Sequence, residues 1–451
     1  MYFSFRMNYC SAKGIVVIGG GLAGSEAAWQ IAQRGIPVFL YEMRPFIPTG
    51  AHTGSNLAEI VCSNSLGSNL LSNASGLLLQ ELRILGSLLI SIADSCSVPA
   101  GKSLAVDRER FSQTVTQNIL KQPNITLIRE EVVDLAFDSI CILATGPLTS
   151  PRLASRLEAL TQSNSLYFYD AICPIVDASS IDFSFAFKAS RYMDPANSGD
   201  YVNCPLTKEQ YLELSRELAH AERIKLHDFE KELYFEGCLP IEIMAKRGED
   251  TLRFGPLRPT GLIDPKTNKR PYAVVQLRQD NLAASLYNMV GFQTNLTYKE
   301  QDRIFRIIPA LKNAEFIRYG QLHRNTFINA PKLLLPTLQF KDNPFIFFAG
   351  QLAGFEGYAG NIASGLVAGI NASRLFQGKE PVIFPRQTMI GELLWYICHA
   401  DPLHFQPMKA NFGLFDLTLE KNLPKDKAAR NLFLSQRSLR NIEAFVRAIL
   451  A

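Results

Sequence analysis

Tryptophan and histidine are scarce in this 451-residue chain, at two and six. No charge sign dominates either, with 46 Lys and Arg against 42 Asp and Glu. Its eight cysteines (10, 62, 96, 141, 173, 204, 238 and 398) form no CxxC pair. With so little histidine, that spacing excludes the common zinc modules, and no metal site is predicted. The net charge of +4 permits RNA binding without arguing for it; a basic surface would have to be local. No run of like charges, low-complexity tract or fixed-period repeat occurs. No stretch reaches the roughly 18 uninterrupted apolar residues of a membrane span. The chain therefore reads as cytoplasmic, away from membranes and with reduced thiols. Arg6 and Lys13 precede an apolar stretch, 15–28, in the manner of a secretory leader. Four glycines and Glu26 interrupt that stretch, which reads better as strand, turn and helix. Residues 1–13 lack periodicity, so Met7 is a candidate start.

Apolar residues make up 47% of the chain and charged residues 20%, ordinary values for a folded protein. The length exceeds one compact core and predicts two or three domains. Gly14 to Ile18 is a β-rich run of the kind buried in a parallel sheet. Gly19, Gly21 and Gly24 follow at once in GxGxxG spacing. The first glycine permits the tight turn and the second lets a pyrophosphate approach the backbone. The third lets helix and strand pack closely. Residues 25–34 read as the helix whose N-terminus faces the phosphates, and Gly35 ends it. Residues 37–41 form the second strand, and Glu42 at its end is placed to accept from ribose hydroxyls. An acid there disfavours a 2′-phosphate and leaves FAD or NAD.

A second glycine cluster decides between them. Residues 344–349 read as a buried strand, followed by Gly350, Gly354, Gly357 and Gly360 and by a small-residue helix over 361–376. A late strand, glycine turn and helix of this kind sets a flavin ring against a helix N-terminus. Between the two units, residues 139–147 read as a sheet strand ending in Thr145-Gly146, with Cys141 alternating into the core. The expected fold class is α/β. A Rossmann-like FAD-binding domain of the glutathione-reductase type (14–147 and 339–380) is interrupted by a mixed α/β insertion (148–338). A helical C-terminal extension (381–451) follows. Helices are predicted over 107–120, 206–216, 299–306 and 435–450, a strand over 272–277 and an extended segment over 124–130.

Two cysteines lie in unusual settings. Cys62 follows Glu59-Ile-Val and precedes Ser-Asn-Ser65, in a polar loop on the cofactor-facing side. Cys238 lies in a Gly-Cys-Leu-Pro turn flanked by Glu236 and Glu242. By pattern alone a packing role is the commoner one for each, because a free cysteine behaves as a small hydrophobe. Disulfide reduction would want the pair closer in sequence. The other chemistry open to them is nucleophilic: a thiolate adds to an electron-poor carbon such as C6 of a pyrimidine and activates C5.

These blocks resemble the folate- and flavin-dependent tRNA (uracil-5-)-methyltransferases, short relatives of the GidA-type tRNA-modification flavoproteins. The likeness runs from Ile15 to about Phe415. It includes Tyr41-Glu-Met-Arg44, the Cys62 loop, Ala105-Val-Asp-Arg108 and Phe235-Glu-Gly-Cys-Leu-Pro-Ile-Glu242. It continues through Leu252-Arg-Phe-Gly-Pro256, 270–280, 288–293, 323–329 and 350–358. The resemblance implies FAD reduced by NADH or NADPH, and 5,10-methylenetetrahydrofolate as carbon donor. The methylene passes through the flavin to C5 of the T-loop uridine of tRNA. It places the two functional thiols on Cys238 and Cys62, with Cys238 narrowly favoured as nucleophile. Expected cofactor contacts are Gly19, Gly20, Gly21, Leu22, Ala23 and Gly24, then Glu42, Met43 and Arg44, then Asn64 and Ser65. Thr145 and Gly146 follow, and Gly350, Gln351, Glu356, Gly357 and Tyr358 complete the set, with Glu356 and Tyr358 near the flavin ring.

Lys246, Arg247, Arg253, Arg258, Lys266, Lys269, Arg270 and Arg278 are candidate phosphate contacts, each weighed evenly against a solvated surface charge. His323 and Arg324 are candidates for gripping folate or RNA. A monomer or weak dimer is expected. Three rivals stand beside the main reading. One is the same chemistry on a ribosomal RNA uridine. Another is a GidA-type wobble-uridine function, against which the short length and the Cys62 loop count. The third is a non-catalytic FAD-containing RNA-binding protein, against which the two cysteines argue.

Overall fold

The computed structural model describes residues 14–135, 139–162, 166–192, 199–224, 239–419 and 423–450. Cys238 and the residues before it back to 225 lie outside these, as do the first thirteen.

The apolar run Ile15–Ile18 is buried throughout because it takes a parallel strand on each side, Val38–Tyr41 and Cys141–Leu143. Ile125–Ile128 extends the sheet beyond Val38–Tyr41, and Asn343–Phe348 extends it beyond Cys141–Leu143, both parallel. A short antiparallel edge, Gln339–Phe340, closes the row. The chain runs outward one way from Ile15–Ile18, then returns to build on its other side. That reversal opens a crevice at the carboxyl ends of Ile15–Ile18 and Cys141–Leu143, where a doubly wound fold binds its ligand.

Two helices begin at that crevice, Leu22–Ala32 and Tyr358–Phe376. Small residues let them touch: a Cβ on Gly365 would lie 2.1 Å from the Ala23 carbonyl oxygen, and one on Gly369 would lie 2.7 Å from that of Ala27. The second helix starts three residues before its predicted position, because Gly357 at φ +80° breaks the chain there and frees Tyr358 to enter the first turn.

The inserted segment forms its own six-stranded antiparallel sheet. Its order is Phe187–Ala189, Tyr201–Leu206, Ala273–Gln279, Leu286–Met289, Ile175–Asp177 and Phe316–Arg318. The predicted helix at 206–216 is Lys208–His220; Leu206 closes a strand, and a Thr207–Gln210 capping box starts the helix after it. Among the described residues two large buried cores result, beside a small cluster of Val98, Ala100 and Ala105. One runs through residues 15–157 and 327–445, the other through 176–314. The ribbon of Leu166–Ala171 against Leu322–Phe327 is where the chain passes between them and back.

The C-terminal helices Met389–His399 and Lys427–Phe445 share the first core rather than standing apart. Buried Glu81 ties them down, accepting from the Met389 and Ile390 N–H groups (2.7 and 2.9 Å) and from the Ser438 hydroxyl. Among the described residues no single helix is long and apolar enough to cross a membrane.

Candidate active site

The three glycines of the first loop differ in what they permit. Gly19 takes φ +104°, and a Cβ there would meet the Ala144 carbonyl oxygen at 2.4 Å. A Cβ on Gly24 would lie 1.8 Å from the Gly19 oxygen. Gly21, at the N-cap of the first helix, faces nothing within 4 Å. The first two hold the turn against the sheet, and the third leaves space in front of the free N–H groups of the helix. Gly146 and Gly357, both at positive φ, are open in the same way.

Two adjoining cavities occupy the crevice, of about 150 and 440 Å³, with Val61, Pro147, Leu148, Gln351, Tyr358 and Asn361 in the walls of both. Of the expected contacts, the smaller cavity takes Gly19, Gly21, Leu22, Ala23, Glu42, Met43, Arg44, Thr145, Gly146 and Gly350. The larger takes Ser65, Glu356 and Gly357, together with Cys62. Gly20, Gly24 and Asn64 line neither. The Asn64 amide is engaged on both sides: it donates to the Val106 and Gln279 carbonyls (3.0 and 2.9 Å) and accepts from Arg278 at 2.7 Å.

The shape suits a long two-headed cofactor. The free corner at Gly21 and the N-terminus of Tyr358–Phe376 both face the smaller cavity, and the larger continues past Tyr358 and Asn361 to Cys62. A polar observation agrees: the Asn361 Oδ1 atom in the shared wall is buried without a hydrogen-bond partner, although its Nδ2 donates to the Gly357 carbonyl at 3.1 Å. An orphaned acceptor there is where a ligand N–H or O–H would go.

Glu42 holds the loop as well as facing the smaller cavity. Its carboxylate accepts from the Gly20 N–H at 3.0 Å and from the Arg44 backbone and guanidinium at 2.9 and 3.1 Å. Burial alone would raise its pKa. The Arg44 charge and these hydrogen bonds outweigh burial and hold it below the usual carboxylate range. Arg44 also reaches Glu59 at 2.8 Å, and Glu59 in turn accepts from the Thr53 and Gly54 N–H groups.

Cys62 is the one partly exposed thiol among the described cysteines. Burial pushes Cys173 up to about 11 and Cys141, Cys204 and Cys398 up to about 12, so these four stay protonated at neutral pH. The Cys62 N–H donates to the Tyr358 hydroxyl at 2.9 Å, and its thiol points to the Ala171 carbonyl at 3.6 Å. Arg108 clamps the loop from behind. Its guanidinium donates to the Ile60 and Cys62 carbonyls, both at 2.9 Å, and its Nε lies 2.9 Å from each oxygen of Asp280. Arg108, Asp280 and Glu59 were absent from the residues expected at the site. A signal was there: each is a charge inside a block that carries the methyltransferase resemblance, and two of them sit at a helix start and a strand end.

The expected phosphate contacts separate. Arg278 is buried and turned inward to Asn64 and Ser63. Lys266 caps the Phe183 and Ser184 carbonyls. Arg253, Arg258 and Arg270 surround an open groove of about 540 Å³ beside Phe254, which is 75% exposed. Arg253 lies over the Tyr272 ring at 4.3 Å and 3.8 Å from Asp250. Lys246 and Lys269 are exposed and Arg247 has an interaction of its own. The side chains of His323 and Arg324 lie outside the described residues.

The family model "Glucose inhibited division protein A" matches residues 14–380. A protein of Enterococcus faecalis named methylenetetrahydrofolate--tRNA-(uracil-5-)-methyltransferase TrmFO is 54% identical over 429 residues, 95% of this chain and 97% of that one. A protein of the same name from Heliobacterium modesticaldum is 53% identical over 432 residues, 96% of this chain and 98% of that one. Among solved structures, Aquifex aeolicus GidA aligns with a TM-score of 0.69 at 19% identity, over 96% of this chain and 73% of that one.

Proposed function

This chain belongs to the family of the methylenetetrahydrofolate--tRNA-(uracil-5-)-methyltransferases. From that premise we propose that it methylates C5 of the T-loop uridine of tRNA. The carbon donor is 5,10-methylenetetrahydrofolate, and FAD, reduced by NADH or NADPH, binds in the crevice. When bound, FAD supplies carriage of the one-carbon unit and the two electrons that take it from the methylene to the methyl level.

One observation carries the reading: Cys62 stands in the wall of the 440 Å³ cavity, fixed through its own N–H to Tyr358 at the start of the second cavity helix. A thiol there is positioned to add to C6 of a uracil that has left its stack, which makes C5 nucleophilic. After C5 takes the carbon, its proton must leave before the thiol can. Cys238 is the second thiol for that exchange, and which of the two adds to C6 is open to experiment. Arg108 keeps the Cys62 loop rigid while the base enters. The groove of Arg253, Arg258 and Arg270 supports an RNA-facing surface. It adjoins Tyr272, at the far end of the strand Ala273–Gln279 from Asp280, about 26 Å away by strand rise.

The test is incubation with an unmodified tRNA transcript, methylenetetrahydrofolate and NADPH, followed by nucleoside mass spectrometry, with ribosomal RNA as a parallel substrate. Methyl on the T-loop uridine is expected, as is its loss in Cys62→Ala and Cys238→Ala proteins that keep FAD. A wild-type protein that methylates ribosomal RNA alone would overturn the tRNA assignment. Full activity in both variants would overturn the thiol mechanism.

A further inference from the structure

One register row of the insertion sheet carries Tyr201, Arg278, Asn288 and Ile175, each directly opposite the next, and Arg318 pairs with Ile175 across a bulge at 316–318. Residues paired in this way point to the same face. Arg278 and Tyr201 show which face it is. Arg278 donates to Asn64 and Ser63 at 2.7 and 2.9 Å, and the Tyr201 hydroxyl donates to the Ala100 carbonyl at 3.1 Å. The row is therefore turned toward the glycine-loop domain, at the Cys62 loop.

Charge along this seam does not balance. Asp280 is taken by Arg108. Arg278 finds only the neutral acceptors Asn64 and Ser63. Arg318 has buried Nε and Nη2 atoms with no hydrogen-bond partner. Asn288, 1% exposed, has neither amide atom partnered. Buried guanidinium without a counter-charge, and buried amide atoms without a partner, both cost folding free energy. A fold that keeps them gains when something anionic enters. Burial pushes the Arg318 guanidinium down and the Arg108 charge adds to that, while Asp280, Cys62 and Tyr358 pull it back. Arginine stays protonated through such shifts. Ser63, which accepts from Arg278, lines the larger cavity together with Cys62 and Tyr358, so the seam reaches the wall of that cavity.

We propose that Arg318, Arg278 and Asn288 form a receiving site for an oxyanion of a substrate, a phosphate or carboxylate group, beside Cys62. Arg318 offers the two free donors and Asn288 a third. The Asn288 amide oxygen is left for a hydroxyl or N–H of the same ligand. Resting on the function proposed above, the oxyanion has two sources: a phosphodiester of the RNA next to the reacting uridine, or a glutamyl carboxylate of the folate.

Arg318→Met removes the charge and keeps a long apolar side chain in its place. Without ligand, in a buffer free of phosphate and sulfate, it should melt above the wild-type protein, because an unpaired buried charge has gone. Inorganic phosphate, titrated at constant ionic strength, should raise the melting temperature of the wild-type protein and not that of Arg318→Met. Arg318→Lys, which restores a cation, should recover part of that response. In steady-state assays Arg318→Met should raise one KM tenfold or more while kcat stays within about threefold. A rise in the KM for tRNA assigns the phosphodiester, and a rise in the KM for folate assigns the carboxylate. Equal phosphate responses in wild type and Arg318→Met would overturn the site, as would two unchanged KM values. If the wild-type protein methylated no RNA, the proposed function would fall while the phosphate titration still decided the site.

Discussion

Replacing Gly21 by valine tests where the pyrophosphate of the cofactor lies. Gly21 is the N-cap of Leu22–Ala32, with φ −74° and ψ −165°, a conformation open to any residue. An added Cβ meets nothing within 4 Å. The free protein should therefore tolerate valine, with a stability change within about 1 kcal/mol: loss of a fair N-cap residue is offset in part by a less flexible unfolded chain. The cofactor should not tolerate it. The same space is where a pyrophosphate must lie to accept from the first N–H groups of the helix. Displacing it removes about two charge-assisted hydrogen bonds at roughly 1.5–3 kcal/mol each. The sum, about 3–6 kcal/mol, weakens FAD roughly 10²–10⁴-fold at about 1.4 kcal/mol per factor of ten. The assay is FAD content by visible absorbance, with affinity by fluorescence titration and melting followed by circular dichroism. Gly24→Ala is the control with the opposite signature. Its Cβ would sit 1.8 Å from a backbone oxygen that cannot rotate away. That puts the loss at or above the upper end of the roughly 1–3 kcal/mol usual for overpacking. Wild-type FAD affinity in Gly21→Val would refute the placement. So would a Gly21→Val protein as unstable as Gly24→Ala, since the empty corner would then be structural.

Three further outcomes follow from individual side chains. Arg108→Ala leaves Asp280, 3% exposed, without its partner and frees the Cys62 loop carbonyls; a loss of about 3–5 kcal/mol is expected, read as a lowered urea midpoint. Burial pushes the Glu81 carboxyl up to about 7, against hydrogen bonds from Ser438, Met389 and Ile390 that lower it. The folded protein then holds a proton that the unfolded chain has released, so this stabilisation is full below pH 4.5 and is lost as pH rises through 7, roughly 3 kcal/mol in all. Wild-type stability measured relative to Glu81→Gln should fall between pH 5 and pH 8, and a flat difference would contradict it. Reversing Arg258 and Arg270 to glutamate should raise the KM for tRNA with kcat kept. It should also flatten the dependence of log KM on log salt by about 0.7–0.9 for each phosphate no longer neutralised; an unchanged slope would remove that surface from the RNA.

What could be read from the chain alone is what short-range chemistry dictates. Strand, glycine turn and helix at 14–34 are contiguous, and each glycine has a local reason visible in the order of residues. The late glycine cluster was legible on the same grounds, down to the helix after it. Cys62 drew notice for the polar loop around it, although by pattern alone a packing role was the commoner one. The rest depends on contacts across hundreds of positions. Arg108 reaches Asp280 across 172 residues, and the Cys62 N–H reaches Tyr358 across 296. No periodicity announces such pairs. Asn64 illustrates the limit from the other side. A polar residue two positions from Cys62 was expected to face the cofactor, but its amide is consumed by Val106, Gln279 and Arg278. Arg278 itself, counted among surface phosphate contacts, is 7% exposed and turned to that same amide. Its strand pairs on both edges, so its alternation decides inward from outward, and which face looks inward is known only when the second sheet is in place. The same dependence explains why Arg318 drew no notice. In the sequence it is one arginine among many. In the fold it pairs with Ile175 on the outermost strand, in a sheet whose Arg278 is engaged, and its own Nε and Nη2 atoms have no hydrogen-bond partner. On the proposal that the unpaired guanidinium serves a ligand, a more stable Arg318→Met protein with a raised KM and a little-changed kcat is the outcome that would tie the seam to function.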